Sequence, residues 1–411
     1  MSELKRELLK SCLAEAVRGG EVAGASLLVV SKGKELAYLE EGLASVEEGK
    51  PISRDGIYRC YSMSKVVTST AAMMLLQDGL IDLFAPISRW FPSFLDPKVY
   101  DGVALRPAKK EIDIMDLLSM TSGLPYEGFP APAGMMSITD VYSVVAERLF
   151  TANQVTTAEF AEMAGRTPLV FDPSSSYLYG VSADIIGALV EKVSGMSFGG
   201  FLKKRIFDPL GMEETGFSVP EEKRGRLVSV YEDAGAAGEE GTRNYAASTG
   251  NGGVRALKLF TGNHLGIRND GGPNAFESGG AGLFSTIDDT AKLCRMLLDG
   301  KAPDGSELLR PGTLRFMRDH HLTPEQEKAY HESFGLPGHS YGNFNRVMND
   351  PARAAIIGSR GEFGWDGWLG TYLTVDPSTD SFFVMMTQKK DYGTGEMTRK
   401  LHNIVFSSIA Q

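Results

Sequence analysis

The sequence predicts an α+β fold: an antiparallel sheet flanked by helices, built from both ends of the chain, with a mainly helical domain inserted between them. Three observations carry that prediction. Two strand-like runs joined by a short turn lie near the start, Ala25 to Val30 and Glu35 to Leu39. A second pair, Gly370 to Val375 and Phe382 to Thr387, lies near the end. Between the pairs, helical spacing and loops dominate. Hairpin links make neighbouring strands antiparallel, and helices segregated from strands give α+β rather than α/β.

In chain order, Leu4, Leu8, Leu9, Cys12, Leu13 and Val17 recur at helical spacing, and Gly19-Gly20 stops them. The first hairpin follows, turned by Ser31-Lys32-Gly33-Lys34. A second helix opens near Ser62 and carries Val66, Val67, Ala71, Met74 and Leu75 to Gly79. In the middle, the best helices are Ile114 to Leu118, Ser182 to Val193 and Phe198 to Phe207. Thr286 to Leu298 comes next, with Ser285 or Thr286 as N-cap and Gly300 as stop. Asp376 to Asp380 links the late strands, and a closing helix covers Thr394 to Ser408. The expected partition is residues 1–85 with 285–411 as a sheet domain and 86–284 as the inserted helical domain, with the active site between them. Residues 220–275 read only as loops of the helical part.

Asp plus Glu number 52 against 42 Lys plus Arg, a net charge of −10. Phosphate binding needs a positive field, so nucleic acid is excluded as a partner. Cys12, Cys60 and Cys294 form no Cys-x-x-Cys pair, which favours free thiols in a reducing compartment over a zinc site or a disulfide scaffold. The first residues mix charges of both signs, and no apolar run approaches ~18 residues. The expectation is a soluble, cytoplasmic chain without a membrane span. Glycine is in excess, 47 residues without a period. Part of it clusters at Gly279-Gly280-Gly282 and at Gly364, Gly367 and Gly370, as a backbone that approaches a substrate would require.

Two serine-nucleophile patterns compete. Gly195-Met196-Ser197-Phe198-Gly199 is a literal G-x-S-x-G, but that elbow works only between a strand and a helix. Here Ile185, Ile186, Leu189, Val190 and Val193 precede it at helical spacing, so Ser197 reads as the N-cap of the next helix. The other pattern is S-x-x-K, where a serine at a helix start shares a face with a lysine one turn on. The helix N-terminus favours negative charge near the serine and disfavours an ammonium, so a neutral lysine can act as base. Of the three such tetrads, only Ser62-Met63-Ser64-Lys65 opens an apolar helix directly after a strand-like run, Gly56 to Arg59. Ser62 is the candidate nucleophile and Lys65 its base.

Arg59 to Lys65, with Leu117-Leu118-Ser119-Met120-Thr121-Ser122-Gly123-Leu124 downstream, resembles the serine β-lactamase/penicillin-binding-protein-like hydrolases, in their esterase branch similar to class C β-lactamases. Further stretches match in order: Phe171-Asp172-Pro173 through Tyr179-Gly180-Val181-Ser182, Pro209 to Met212, Gly280 to Thr286, and Gly361 to Thr371. The resemblance implies the β-lactamase/transpeptidase-like fold, an acyl-enzyme on Ser62, a small-molecule ester as substrate, and no metal or organic cofactor. In that family a Tyr-x-Asn motif supplies a phenol to the Ser/Lys pair. Tyr341-Gly342-Asn343 matches literally but comes too late in chain order. Tyr179 stands in the right place with Val181 where the Asn would be, and Tyr177 is the neighbouring alternative.

The family's Lys-Thr/Ser-Gly motif is absent, and Trp365-Asp366-Gly367-Trp368 aligns with it. An indole and a carboxylate thus replace a lysine that would bind a substrate carboxylate. By the resemblance, Gly367 keeps a close backbone approach, the backbone N–H of Trp368 joins that of Ser62 in an oxyanion hole, and Trp365 and Asp366 wall the pocket. Both indoles could instead be plain core residues. The expected chemistry is hydrolysis of small to medium acyl esters. Amide chemistry, as in a β-lactamase, a DD-peptidase or a D-aminopeptidase-like amidase, is the alternative, and a non-catalytic penicillin-binding module is the third.

Overall fold

The computed structural model describes residues 3–234 and 256–409. Its principal helices are α1 (Glu3–Arg18), α2 (Ser64–Gln77), α3 (Ser182–Ser194), α4 (Ile287–Asp299) and α5 (Glu396–Phe406). Its largest sheet has eight strands: β1 (Gly24–Ser31), β2 (Lys34–Ser45), β3 (Lys50–Pro51), β4 (His339–Gly342), β5 (Asn345–Met348), β6 (Phe363–Asp366), β7 (Tyr372–Asp376) and β8 (Ser381–Thr387). Their spatial order is β4-β5-β6-β7-β8-β1-β2-β3, and every pairing is antiparallel.

The early and late segments of the chain meet at β1 and β8, in register from Ala25 opposite Thr387 to Ser31 opposite Ser381. Side chains alternate across a strand, so each of these two strands feeds two cores. Leu27, Val29, Phe383 and Met385 bury on one face with Leu9 and Leu13 of α1 and Leu401 and Val405 of α5. Leu28, Phe382, Val384 and Met386 bury on the other with Ile287 and Leu293 of α4. Burial on both faces is why Phe382 to Met386 reads as an unbroken apolar run.

Strands β4, β5 and β6 escape the periodicity because each has four residues, and Gly342, Asn343 and Gly364 interrupt the apolar pattern. Helices at Ile138–Arg148, Thr157–Ala164 and Pro324–Phe334 also add to those expected. The predicted Phe198-to-Phe207 helix is α-helical only to Leu202 and then widens into a π turn.

The described parts of 220–275 include a short strand pair beside the expected loops. Tyr231–Asp233 pairs with Leu257–Leu259, and the Tyr231 N–H donates to Gln388 O at 3.0 Å. From below, buried Arg59 donates to Val228 O at 2.8 Å and Asn269 O at 2.9 Å. Burial lowers this guanidinium to about 10. Among the described residues, no single helix is long and apolar enough to cross a membrane.

In the helical part, one backbone contact brings two separate segments together. A Cβ on Gly180 would lie 1.9 Å from Leu124 O and 2.9 Å from the Pro125 carbonyl carbon. Only glycine lets Tyr177–Gly180 lie against Leu124–Tyr126. Gly180→Ala is therefore expected to destabilise the fold by about 1–3 kcal/mol, as overpacking does, measured as a fall in the midpoint of thermal unfolding. An unchanged midpoint would mean that this contact is not tight.

Candidate active site

Helix α2 brings the S-x-x-K pair together. A single 3₁₀ turn, Tyr61–Met63, precedes it, and residues 64–75 are all buried. Lys65 is 0% exposed, so its Nζ must find every partner inside the protein. It lies 3.2 Å from Ser62 Oγ, 3.1 Å from Tyr126 Oη and 2.7 Å from Gly280 O. A carbonyl only accepts, so one Nζ–H is committed to Gly280. A neutral amine then keeps one more N–H and a lone pair for the two hydroxyls, an arrangement in which Ser62 can donate.

Ser64 points elsewhere. Its Oγ accepts the Leu283 N–H at 3.1 Å. With Thr68 Oγ1 donating to Gly279 O at 2.6 Å, it stitches α2 to the 279–283 segment beside the Lys65–Gly280 contact. The neighbouring carboxylate is Asp184 of α3, fully buried, accepting from the Gly280 N–H at 3.0 Å and from the Ser278 hydroxyl. Burial raises its carboxyl above the ordinary range, and the Ser278 hydroxyl, Lys65 and the Gly280 N–H each offset part of that rise.

Two tyrosines face Lys65. Tyr179 lies with its ring centroid 4.6 Å from Nζ, and its hydroxyl accepts the Trp365 indole N–H at 2.9 Å. Tyr126 packs against Tyr179 at 5.8 Å between centroids and places its own hydroxyl on Nζ. Sequence reasoning passed over Tyr126, although it stands two residues beyond the Leu117–Leu124 stretch, because a loop tyrosine has no periodicity to mark it. Asp184 was missed for the same kind of reason, and Gly280 was expected only as backbone approaching a substrate, without the hold of its carbonyl on Lys65. Tyr177 turns into the interior against Tyr330 and Tyr341, at 5.2 and 5.3 Å. Tyr341 is buried on β4 against Trp365, and Asn343 sits in the following turn with φ +48°.

The Trp365–Trp368 segment ends β6 and approaches Ser62 from the other side. A Cβ on Gly367 would lie 2.3 Å from Cys60 O, so only glycine fits. Thr371 Oγ1 donates to the same Cys60 carbonyl at 2.9 Å, and the Cys60 N–H donates to Leu283 O at 2.8 Å. Between these anchors Tyr61 is held at φ +43°, a left-handed conformation that non-glycine residues rarely adopt. Its ring meets the Trp368 indole edge-on at 4.9 Å. Phe260 and His264 complete that wall at 5.8 and 4.2 Å from Trp368, and Asp391 accepts the indole N–H at 2.6 Å. Asp366 is buried, with Arg346 Nη1 3.3 Å from its carboxylate. Trp365 and Trp368 are both buried as well.

A sheet joined from early and late strands, with a serine in the turn that enters a helix and a buried lysine in that helix's first turn, is the architecture of a serine hydrolase of the β-lactamase/transpeptidase fold. The Beta-lactamase family model matches residues 9–404, and the chain belongs to that family. It is 31% identical over 336 residues to the lovastatin esterase of Penicillium rubens, covering 79% of this chain and 74% of that one. Esterase EstB of Burkholderia gladioli is 26% identical over 403 residues, covering 97% of this chain and 94% of its own. Among solved structures, EstCE1, described as a hydrolase with promiscuous acyltransferase activity, superposes with a TM-score of 0.76 at 24% identity, covering 98% of each chain. The fold and family implied by the sequence motifs are those found.

The rival G-x-S-x-G serine has a structural task. Ser197 Oγ accepts the Gly200 N–H at 3.0 Å and caps the helix Phe198–Leu202, while Glu277 accepts the Gly199 N–H at 2.7 Å. Ser197→Ala is expected to lower stability by about 1 kcal/mol, as loss of an N-cap does, and to leave turnover of p-nitrophenyl butyrate within about twofold, a small change on the scale of lost catalytic groups. An inactive variant would restore Ser197 as a nucleophile.

Proposed function

We propose that this chain is a carboxylesterase-type hydrolase that forms an acyl-enzyme on Ser62 and turns over uncharged esters of small to medium acyl groups. The observation that carries this reading is the Lys65 amine, buried and 3.2 Å from Ser62 Oγ, with Tyr126 and Gly280 on its other sides. The names of EstB and the lovastatin esterase support ester rather than amide chemistry. So does the wall around the pair, with the indole of Trp365 where a carboxylate-binding lysine would stand.

In the proposed reaction Ser62 Oγ attacks the ester carbonyl while its proton passes to Lys65. The backbone N–H groups of Ser62 and Trp368 hold the oxyanion, a role worth ~10²–10³ in rate per donor. Tyr126, in contact with Nζ, shares the proton directly. Tyr179 has an oxygen that already accepts the Trp365 N–H, which makes the phenol a better acid and aims it for the leaving alkoxide. Water then hydrolyses the acyl-enzyme by the same relay in reverse.

Ser62→Ala is expected to reduce kcat/KM for p-nitrophenyl butyrate by at least about 10³-fold and to abolish labelling by a fluorophosphonate probe. Retained labelling would remove Ser62 from the reaction. The intact enzyme should turn over p-nitrophenyl butyrate with a higher kcat/KM than nitrocefin; the opposite order would replace the ester reading with amide chemistry. Removing either tyrosine hydroxyl tests the relay. Tyr126→Phe and Tyr179→Phe are each expected to lower kcat by about 10²-fold, the usual scale of a lost general acid or base, with KM little changed. A variant with wild-type kcat would take that hydroxyl out of the relay.

A further inference from the structure

Asp184 has no part in the proton relay just described, yet it is a buried carboxylate with only Gly280 between it and the amine of Lys65. Gly280 bridges the two: its N–H donates to Asp184 at 3.0 Å, and its C=O accepts from Lys65 Nζ at 2.7 Å. Ser278, itself buried, donates a second hydrogen bond to the same carboxylate oxygen. We propose that Asp184 is a positioning residue: it fixes the Gly280 carbonyl that holds Lys65, and its negative charge sets the pH at which Lys65 releases a proton and becomes a base. This inference rests on the reading of Lys65 as the proton acceptor from Ser62.

The charges around the lysine make the sign of the effect definite. Facing Nζ are the hydroxyl of Tyr126 from the 121–128 loop, the ring of Tyr179, and Asp184 from α3. Strand β6 packs on α2 with Asp366, whose charge Arg346 balances at 3.3 Å. The helix Pro311–Met317 also packs on α2, and its Arg315 is exposed to solvent. Tyr142 lies beside Asp184, and burial and that carboxylate both hold its phenol protonated, so it adds no charge. Glu127, next to Tyr126 in the chain, is exposed to solvent, and Asp184 is the buried carboxylate that stabilises the Lys65 ammonium. Without it, Lys65 loses its proton at lower pH.

The decisive variant is Asp184→Asn, which removes the charge and keeps an acceptor for the Gly280 N–H. The acidic limb of kcat/KM against pH, measured with p-nitrophenyl butyrate, is expected to move down by about one pH unit, with KM little changed. Asp184→Ala should show the same displacement and, with Gly280 released, a fall in kcat of about 10-fold or more beyond that of Asp184→Asn. A residue that only supported the fold would lower kcat at every pH and leave the limb in place, and that result overturns the proposal.

Should the amide variant fail to fold, the coupling is read from its other end. In Lys65→Met the isolated carboxylate should take up a proton, and infrared difference spectra at pH 8 should show the C=O stretch of a buried protonated carboxyl. Absence of that band overturns the proposal equally. Activity surviving in Ser62→Ala would instead overturn the reading beneath it, whatever Asp184 does.

Discussion

A lysine amine with no exposure to water is the constraint on which the rest of the molecule depends. Burying an ammonium without partners is prohibitive, and burying an amine without them is still costly. The protein answers with the Gly280 carbonyl, the hydroxyls of Ser62 and Tyr126, the ring face of Tyr179, and the carboxylate of Asp184. These come from four stretches of the chain, at Ser62, Tyr126, Tyr179 to Asp184 and Gly280. Each must arrive at its place to within a hydrogen-bond length, so the pocket can form only when the packing between the sheet and the inserted helices is complete.

That requirement explains where the chain departs from ordinary local preferences. Glycine at 180 lets the two tyrosine-bearing segments lie backbone on backbone, and glycine at 367 lets the end of β6 reach Cys60. Tyr61 pays in backbone strain for the position of Ser62 beside it, and it stays left-handed because the amide and the carbonyl of Cys60 are both tied down. Arg59 holds the 228 and 269 carbonyls on the same side. The wall that carries Phe260 and His264 is thereby attached to the Gly56–Arg59 run that leads into Ser62.

What could be read in the sequence follows the range of each interaction. Strands β1, β2, β7 and β8, helix α2 and the Ser62–Lys65 pair are local patterns, set by side-chain period or by one helical turn. Thr286 and Ser197 were legible as caps for the same reason. Strands β4 to β6 were not, since four-residue strands broken by glycine and asparagine carry no period. Tyr126 and Asp184 act only through neighbours more than 60 residues from Lys65 in the chain and leave no spacing to find. The described parts of 220–275 were opaque because they are held through backbone groups, the Tyr231 N–H donating to Gln388 O and the Val228 and Asn269 carbonyls accepting from Arg59, which carry no side-chain signature.

The charge balance of the pocket connects the missing lysine motif to the proposed substrate. Lys65 and Asp184 are both buried and lie on either side of Gly280. A second lysine at position 365 would add an unbalanced cation beside them and disfavour the Lys65 ammonium. The indole found there adds no charge and spends its single N–H on Tyr179. A substrate carboxylate beside Trp365 would meet an aromatic wall in place of a lysine, and its desolvation would go unanswered there. An uncharged ester asks only for oxyanion donors and an apolar surface, and the glycine-permitted turn from Trp365 to Trp368 presents two buried indoles.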